Sequence, residues 1–145
     1  MNAIILCGGL STRLGEITKT IPKILLEVGG KTVLDWQLDK LKRAGIDTVV
    51  FAAGHLSDVL KKEVGEERNG IKIIYAIEKE KLGTGGAIKF AWEYIPHKDE
   101  PTVILNGDIL TTVNLSKMAQ SLKPESDGII LGARVDDAST YEILK

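Results

Sequence analysis

Ala3-Ile4-Ile5-Leu6-Cys7 is an unbroken apolar run that stops at Gly8-Gly9. A strand without alternation is buried on both faces, which places it inside a parallel sheet covered by helices. The rest of the chain fits that frame. An apolar segment, Ile24 to Val28, is stopped by Gly29-Gly30. Val33 to Ala44 reads as a helix, with Leu34, Leu38 and Leu41 at i, i+4, i+7 and Gly45 at its end. Thr48 to Ala52 is a second strand closing on Gly54-His55, and Ser57 is placed to cap a helix through Val64. Ile71 to Ala76 is a β-branched third strand. A helix then starts at Thr84 or Gly85 and carries Ala87, Ile88, Ala91, Trp92 and Ile95 on one face. Thr102 to Leu105 is a fourth strand ending at Asn106-Gly107-Asp108, and Asn114 caps a helix through Leu122. Gly128 to Ala133 reads as a fifth strand, and Tyr141 to Leu144 begins a further element. Strands alternating with helices of this length predict a parallel α/β sheet with right-handed crossovers. In the common 3-2-1-4 order the loops after strands one and four meet at the switch point. Asp108 would then lie beside Gly8-Gly9.

At 145 residues the chain is expected to form one domain, residues 1–145. Nineteen basic and 20 acidic residues leave a net charge of −1. That balance gives no broad field for nucleic acid or an anionic membrane, so an anionic ligand must be held locally. The first apolar run is too short for a signal peptide, and none approaches the roughly 18 residues of a membrane span. Cys7 is the single cysteine, which excludes an internal disulfide and suits a reducing cytoplasm.

The loop after the first strand, Gly8-Gly9-Leu10-Ser11-Thr12-Arg13-Leu14, has the makings of a polyphosphate cradle. Paired glycines leave backbone N–H groups free to converge on an anion. Arg13 and Lys23 add a planar fork and a point charge. Two known phosphate loops do not fit. Gly30-Lys31-Thr32 ends like a P-loop, but Leu25 stands where its first glycine belongs. Gly83-Thr84-Gly85 begins like a dinucleotide fingerprint, but Ile88 replaces its third glycine. Bland readings stand beside these: Asp108 as a turn cap, Gly83 to Gly86 as a helix entry, Cys7 as a small core residue, His55 as structural. Trp36 and Trp92 sit in helices and read as packing.

The constellation as a whole resembles the sugar-1-phosphate nucleotidylyltransferases. Gly8-Gly9 with Thr12-Arg13, Pro22-Lys23, Gly29-Gly30-Lys31, Leu82 to Ala87 and Asn106-Gly107-Asp108 match that family in order and spacing, across essentially the whole chain. It is most similar to the members acting on mannose-1-phosphate or heptose-1-phosphate. Ser11 departs from a usual glycine, Ile24 and Thr32 from frequent prolines, and Lys81 stands where proline often precedes Leu82.

The resemblance implies a Rossmann-like three-layer α/β/α nucleotidyltransferase domain with a mostly parallel sheet, its C-terminal part missing. It implies in-line attack of a sugar-1-phosphate on the α-phosphorus of an NTP, GTP favoured, with Mg²⁺ as cofactor. Leu6, Gly8, Gly9, Ser11, Thr12, Gly83, Thr84 and Gly85 would then bind nucleotide, Arg13 and Lys23 would be catalytic, and Asp108 would hold the metal. A cytoplasmic enzyme follows, with no nucleic-acid or membrane partner; a homo-oligomer is compatible with it. The glycine loop also resembles that of nucleotidylyltransferases for molybdopterin or alcohol phosphates. A non-catalytic nucleotide-sugar-binding subunit is a third reading.

Overall fold

The structure is a computed structural model, described over residues 1–9, 19–137 and 139. Its centre is a five-stranded sheet. β1 (Asn2–Leu6) lies between β4 (Thr48–Ala53) and β7 (Thr102–Asn106), parallel to both. β6 (Ile71–Ile77) runs parallel to β4 on its far side. The short β5 (Glu67–Arg68) pairs antiparallel with β6 at the outer edge. The four parallel strands therefore have the expected 3-2-1-4 order. A separate hairpin, β2 (Glu27–Val28) and β3 (Lys31–Thr32), turns through Gly29 and Gly30, whose φ values of +63° and +82° call for glycine.

Successive residues of β1 face opposite layers. Ala3 and Ile5 pack with Val49, Phe51 and Ile73 against α1 (Val33–Arg43) and α2 (Ser57–Val64); Leu115 of α4 (Leu115–Gln120) joins that cluster. Ile4 packs with Val50, Ala52 and Ala76 against α3 (Gly83–Trp92) and Ile95. The three-layer architecture is the expected one. α1 also follows its sequence pattern: Leu34, Leu38 and Leu41 are fully buried, and Gly45 ends the helix at φ +77°. Its cap is Thr32, whose Oγ1 accepts the Asp35 N–H at 3.0 Å.

Several readings differ from expectation, among them α4, which ends at Gln120 rather than Leu122. Ser57 is the first helical residue rather than the cap; Leu56 precedes α2 in a left-handed conformation, and Ser57 N–H is taken by Gly54 O. α3 begins at Gly83, one residue early. Gly128 to Ala133 forms no strand, and Ile129, Ile130 and Leu131 are 40–76% exposed. Strand propensity requires a neighbour to hydrogen-bond, and no described strand lies beside this segment. Tyr141 to Leu144 lies outside the described residues.

Candidate active site

β1, β4, β6 and β7 all point the same way, so the segments that follow them gather at one edge of the sheet. There they enclose a cleft of about 340 Å³. The segment after β1 contributes Cys7, Gly8 and Gly9, that after β6 Glu78, Lys81, Gly83 and Thr84, and that after β7 Gly107 and Asp108. Lys23 reaches the cleft from the 3-10 turn Lys23–Leu25, which Ile24 pins to the core at 1% exposure.

Two backbone contacts build this edge. Cys7 N–H donates to Ala52 O at 2.9 Å, and Gly107 N–H to Leu6 O at 2.8 Å. Gly8 passes close to Gly54; a Cβ on Gly8 would lie 3.1 Å from Gly54 N. Across the mouth, Lys23 Nζ pairs with Asp108 Oδ2 at 2.5 Å, both side chains a little over one-third exposed. The N-terminus of α3 faces the same cleft. Its first turn holds no acidic residue, and Leu82 before it makes no side-chain cap. Open amides there favour an anion. Glu78 accepts the Leu82 N–H at 3.3 Å and shapes the approach to α3.

Cys7 is partly buried, packed against the core on one side and lining the cleft on the other. Its Sγ donates to Ala52 O at 3.4 Å. Burial, and then the Glu78 charge, push its pKa up to about 12.

Of the residues singled out in the sequence, Leu6, Gly8, Gly9, Lys23, Gly83, Thr84 and Asp108 line this one cleft. Gly85, one residue further into α3, is exposed and does not line it. Ser11, Thr12 and Arg13 lie outside the described residues. Glu78 and Lys81 are additions: in the sequence they read as a charged loop, and only the position of β6 beside β4 brings them here. Trp36 is not a core residue; its indole N–H donates to Val28 O at 2.7 Å and Lys31 lies over its ring. His55 is exposed, outside the cleft.

Mg²⁺ binds through one or two carboxylates plus phosphate oxygens and keeps several waters. Asp108 supplies such a hard oxygen donor at the mouth, beside the segments that could hold phosphate. No group of three or more His, Cys, Asp or Glu side chains suited to a metal occurs among the described residues. The donor set therefore fits a cation shared with a polyphosphate rather than one caged by protein alone.

The nucleotidyl transferase family model matches residues 2–145. The chain belongs to the nucleotidyl transferase family. It is 44% identical over 118 residues to the D-glycero-α-D-manno-heptose 1-phosphate guanylyltransferase of Campylobacter jejuni, covering 81% of this chain and 52% of that protein. It is 35% identical over 147 residues to the mannose-1-phosphate guanylyltransferase catalytic subunit beta of Xenopus tropicalis, covering 99% of this chain and 41% of that one. HddC from Yersinia pseudotuberculosis, solved in complex with GMP-PN, superposes with a TM-score of 0.70 at 32% identity. That match covers 83% of this chain and 53% of HddC. The chain thus spans about half the length of the relatives it matches.

Among the described residues, no helix is long and apolar enough to cross a membrane.

Proposed function

We propose that the cleft binds the triphosphate of an NTP and that the protein transfers its nucleotidyl group to a sugar-1-phosphate, releasing pyrophosphate. The observation that carries this reading is the convergence of Gly8-Gly9, Lys23 and Asp108 at one edge of the sheet. Phosphoryl displacement asks chiefly for positioning and charge neutralisation. Backbone amides of the glycine loop and the α3 N-terminus would hold phosphate oxygens. Lys23 would neutralise charge gathering at the α-phosphate, and Arg13 the departing pyrophosphate. Asp108 would hold Mg²⁺, which when bound draws charge off the phosphate oxygens.

GTP is the favoured nucleotide, with a mannose- or heptose-1-phosphate as acceptor, as the names of the guanylyltransferase relatives suggest. Glu78 supports that choice on chemical grounds. It is a carboxylate on the cleft wall with no cationic partner among the described residues. A carboxylate offers two adjacent acceptors, matching the adjacent N1–H and N2–H₂ donors of guanine. The reading includes a cytoplasmic location, supported by a free thiol as the single cysteine.

The test is pyrophosphate release by the protein with Mg²⁺, each NTP and a panel of sugar-1-phosphates. Turnover is expected with GTP and a mannose- or heptose-1-phosphate. Lys23→Ala and Arg13→Ala should each lose on the order of 10²–10³ in kcat, the range for removing one transition-state donor. Asp108→Asn should lose its response to Mg²⁺. Turnover only with molybdopterin or an alcohol phosphate would replace the acceptor assignment. NTP binding without pyrophosphate release from any pair would overturn catalysis and leave a nucleotide-binding subunit.

A further inference from the structure

Gln37 lies in the middle of α1 and is 3% exposed. Its Nε2 donates to two backbone carbonyls, Asn106 O and Ile109 O, each at 2.8 Å. Both partners accept only, so it is the amide nitrogen that must face them. These carbonyls bracket Gly107-Asp108, the centre of a four-residue turn closed by Ile109 N–H to Asn106 O at 3.2 Å. One side chain therefore grips both ends of the turn that carries Asp108. Gly107 N–H, bonded to Leu6 O at 2.8 Å, ties the same turn to β1.

The other end of the amide gains nothing. Gln37 Oε1 is buried with no hydrogen-bond partner among the described residues. A buried acceptor left unpaired is a standing penalty that an apolar side chain of the same shape would avoid. The benefit must then come from the two donated bonds, and what those bonds fix is the turn holding Asp108. We infer that Gln37 is a positioning residue, holding the Asp108 carboxylate in place for the metal that accompanies the nucleotide. The inference rests on the reading of Asp108 as the metal ligand, and it gives Gln37 a role through that group without contact with substrate.

Calorimetry tests it with Mn²⁺ as the probe metal and a GTP analogue that cannot be cleaved between its α- and β-phosphates. The quantity read is the gain in nucleotide affinity caused by Mn²⁺, compared in the wild-type chain, Gln37→Met and Asp108→Asn. Methionine keeps the length and apolar volume of glutamine and removes both the donors and the orphan acceptor. Gln37→Met should lower the Mn²⁺ gain about 10-fold, the low end for losing a partner that orients a metal ligand, with metal-free affinity unchanged. A loss of metal-free affinity in equal measure would show a general structural role and overturn the proposal, as would an unchanged gain. If Asp108→Asn itself keeps the full gain, the metal assignment fails, and this inference with it. A second measurement needs no variant. In the wild-type chain the Gln37 side-chain N–H₂ protons should exchange far more slowly than those of exposed glutamines; exchange at the exposed rate refutes the grip.

Discussion

Replacing Gly107 by alanine probes how the Asp108 turn is held. A Cβ built on Gly107 would lie 2.8 Å from Leu6 O, 3.3 Å from Ile24 Cδ1 and 3.4 Å from Cys7 Cβ. The first contact is roughly half an ångström inside an ordinary carbon–oxygen approach of about 3.3 Å. Ile24 could rotate, but Leu6 O belongs to the central strand, and the Gly107 N–H is bonded to that same oxygen. Relief therefore means moving the turn outward and stretching that bond. Overpacking of this kind costs about 1–3 kcal/mol and the weakened hydrogen bond about 1 more. The sum, about 2–4 kcal/mol, corresponds to a fall in Tm of roughly 5–15 °C for a domain of this size. Thermal unfolding followed by circular dichroism reads it directly. Gly85→Ala is the internal control: its Cβ meets no described atom within 4 Å, and the residue sits inside α3. There alanine should raise stability by about 0.5–1 kcal/mol through helix propensity. A Gly107→Ala chain melting with the wild type, or shifting in the same direction as Gly85→Ala, would refute the close-approach argument.

Two further predictions concern pH. Arg68 donates to Asp35 through Nε at 2.7 Å and Nη2 at 2.9 Å, and this pairing, with the Thr32 hydroxyl, holds the Asp35 carboxyl below its ordinary value. The stabilisation is complete above the unfolded value of about 4 and is lost as pH falls through the folded one. Arg68→Ala should thus cost about 1–2 kcal/mol in urea unfolding at neutral pH, and the difference from wild type should shrink below about pH 4; a constant difference would reject the linkage. The Cys7 thiol, raised to about 12, is protonated in the fold where an unfolded thiol ionises near about 8.5. Its contribution is full below that unfolded value and fades as pH climbs towards the folded one; Cys7→Ala should remove the slope between about pH 8.5 and 10, below the range where Tyr75, also raised to about 12, adds its own. Because the thiol stays protonated, iodoacetamide should alkylate Cys7 slowly at mildly alkaline pH, and labelling at the rate of an unperturbed thiol would refute the raised pKa.

Local signals made most of the fold legible. α1 declared itself through Leu34, Leu38, Leu41 and Gly45, and all four ended where the 3.6-residue period and left-handed glycine put them. β5 has no strand character in Glu67-Arg68 itself, and its one sequence signal is Asn69-Gly70, which at φ +53° and +69° forms a two-residue hairpin turn. Gly128 to Ala133 failed in the opposite way, since β-branched composition cannot supply a ladder partner. The site was legible where it is made of loops following strands, because parallel strands deliver those loops to one edge. It was illegible where a single side chain reaches across the fold. Gln37 has no sequence motif around it, and the carbonyls it holds are 69 and 72 residues away.

Gly8-Gly9 shows why a motif needs its fold to be apportioned. In the sequence both glycines read as one phosphate cradle, each serving by lacking a side chain. In the structure they do different things. Gly8 sits against the backbone of Gly54 and Ala53, where a Cβ would be 3.1 and 3.5 Å away, so its bareness lets the loop after β1 pack on the loop after β4. Gly9 has no described atom within 4 Å of such a Cβ. The first glycine is thus demanded by the sheet edge itself, with or without a ligand, while only the second leaves room that a phosphate could use. Gly107 belongs with Gly8: beside Asp108 it resembles part of the metal motif, but its missing Cβ answers to Leu6 O on the neighbouring strand. Two of the glycines that mark the site therefore act by bringing backbone segments close together, and the chemistry assigned to Lys23 and Asp108 depends on that closeness.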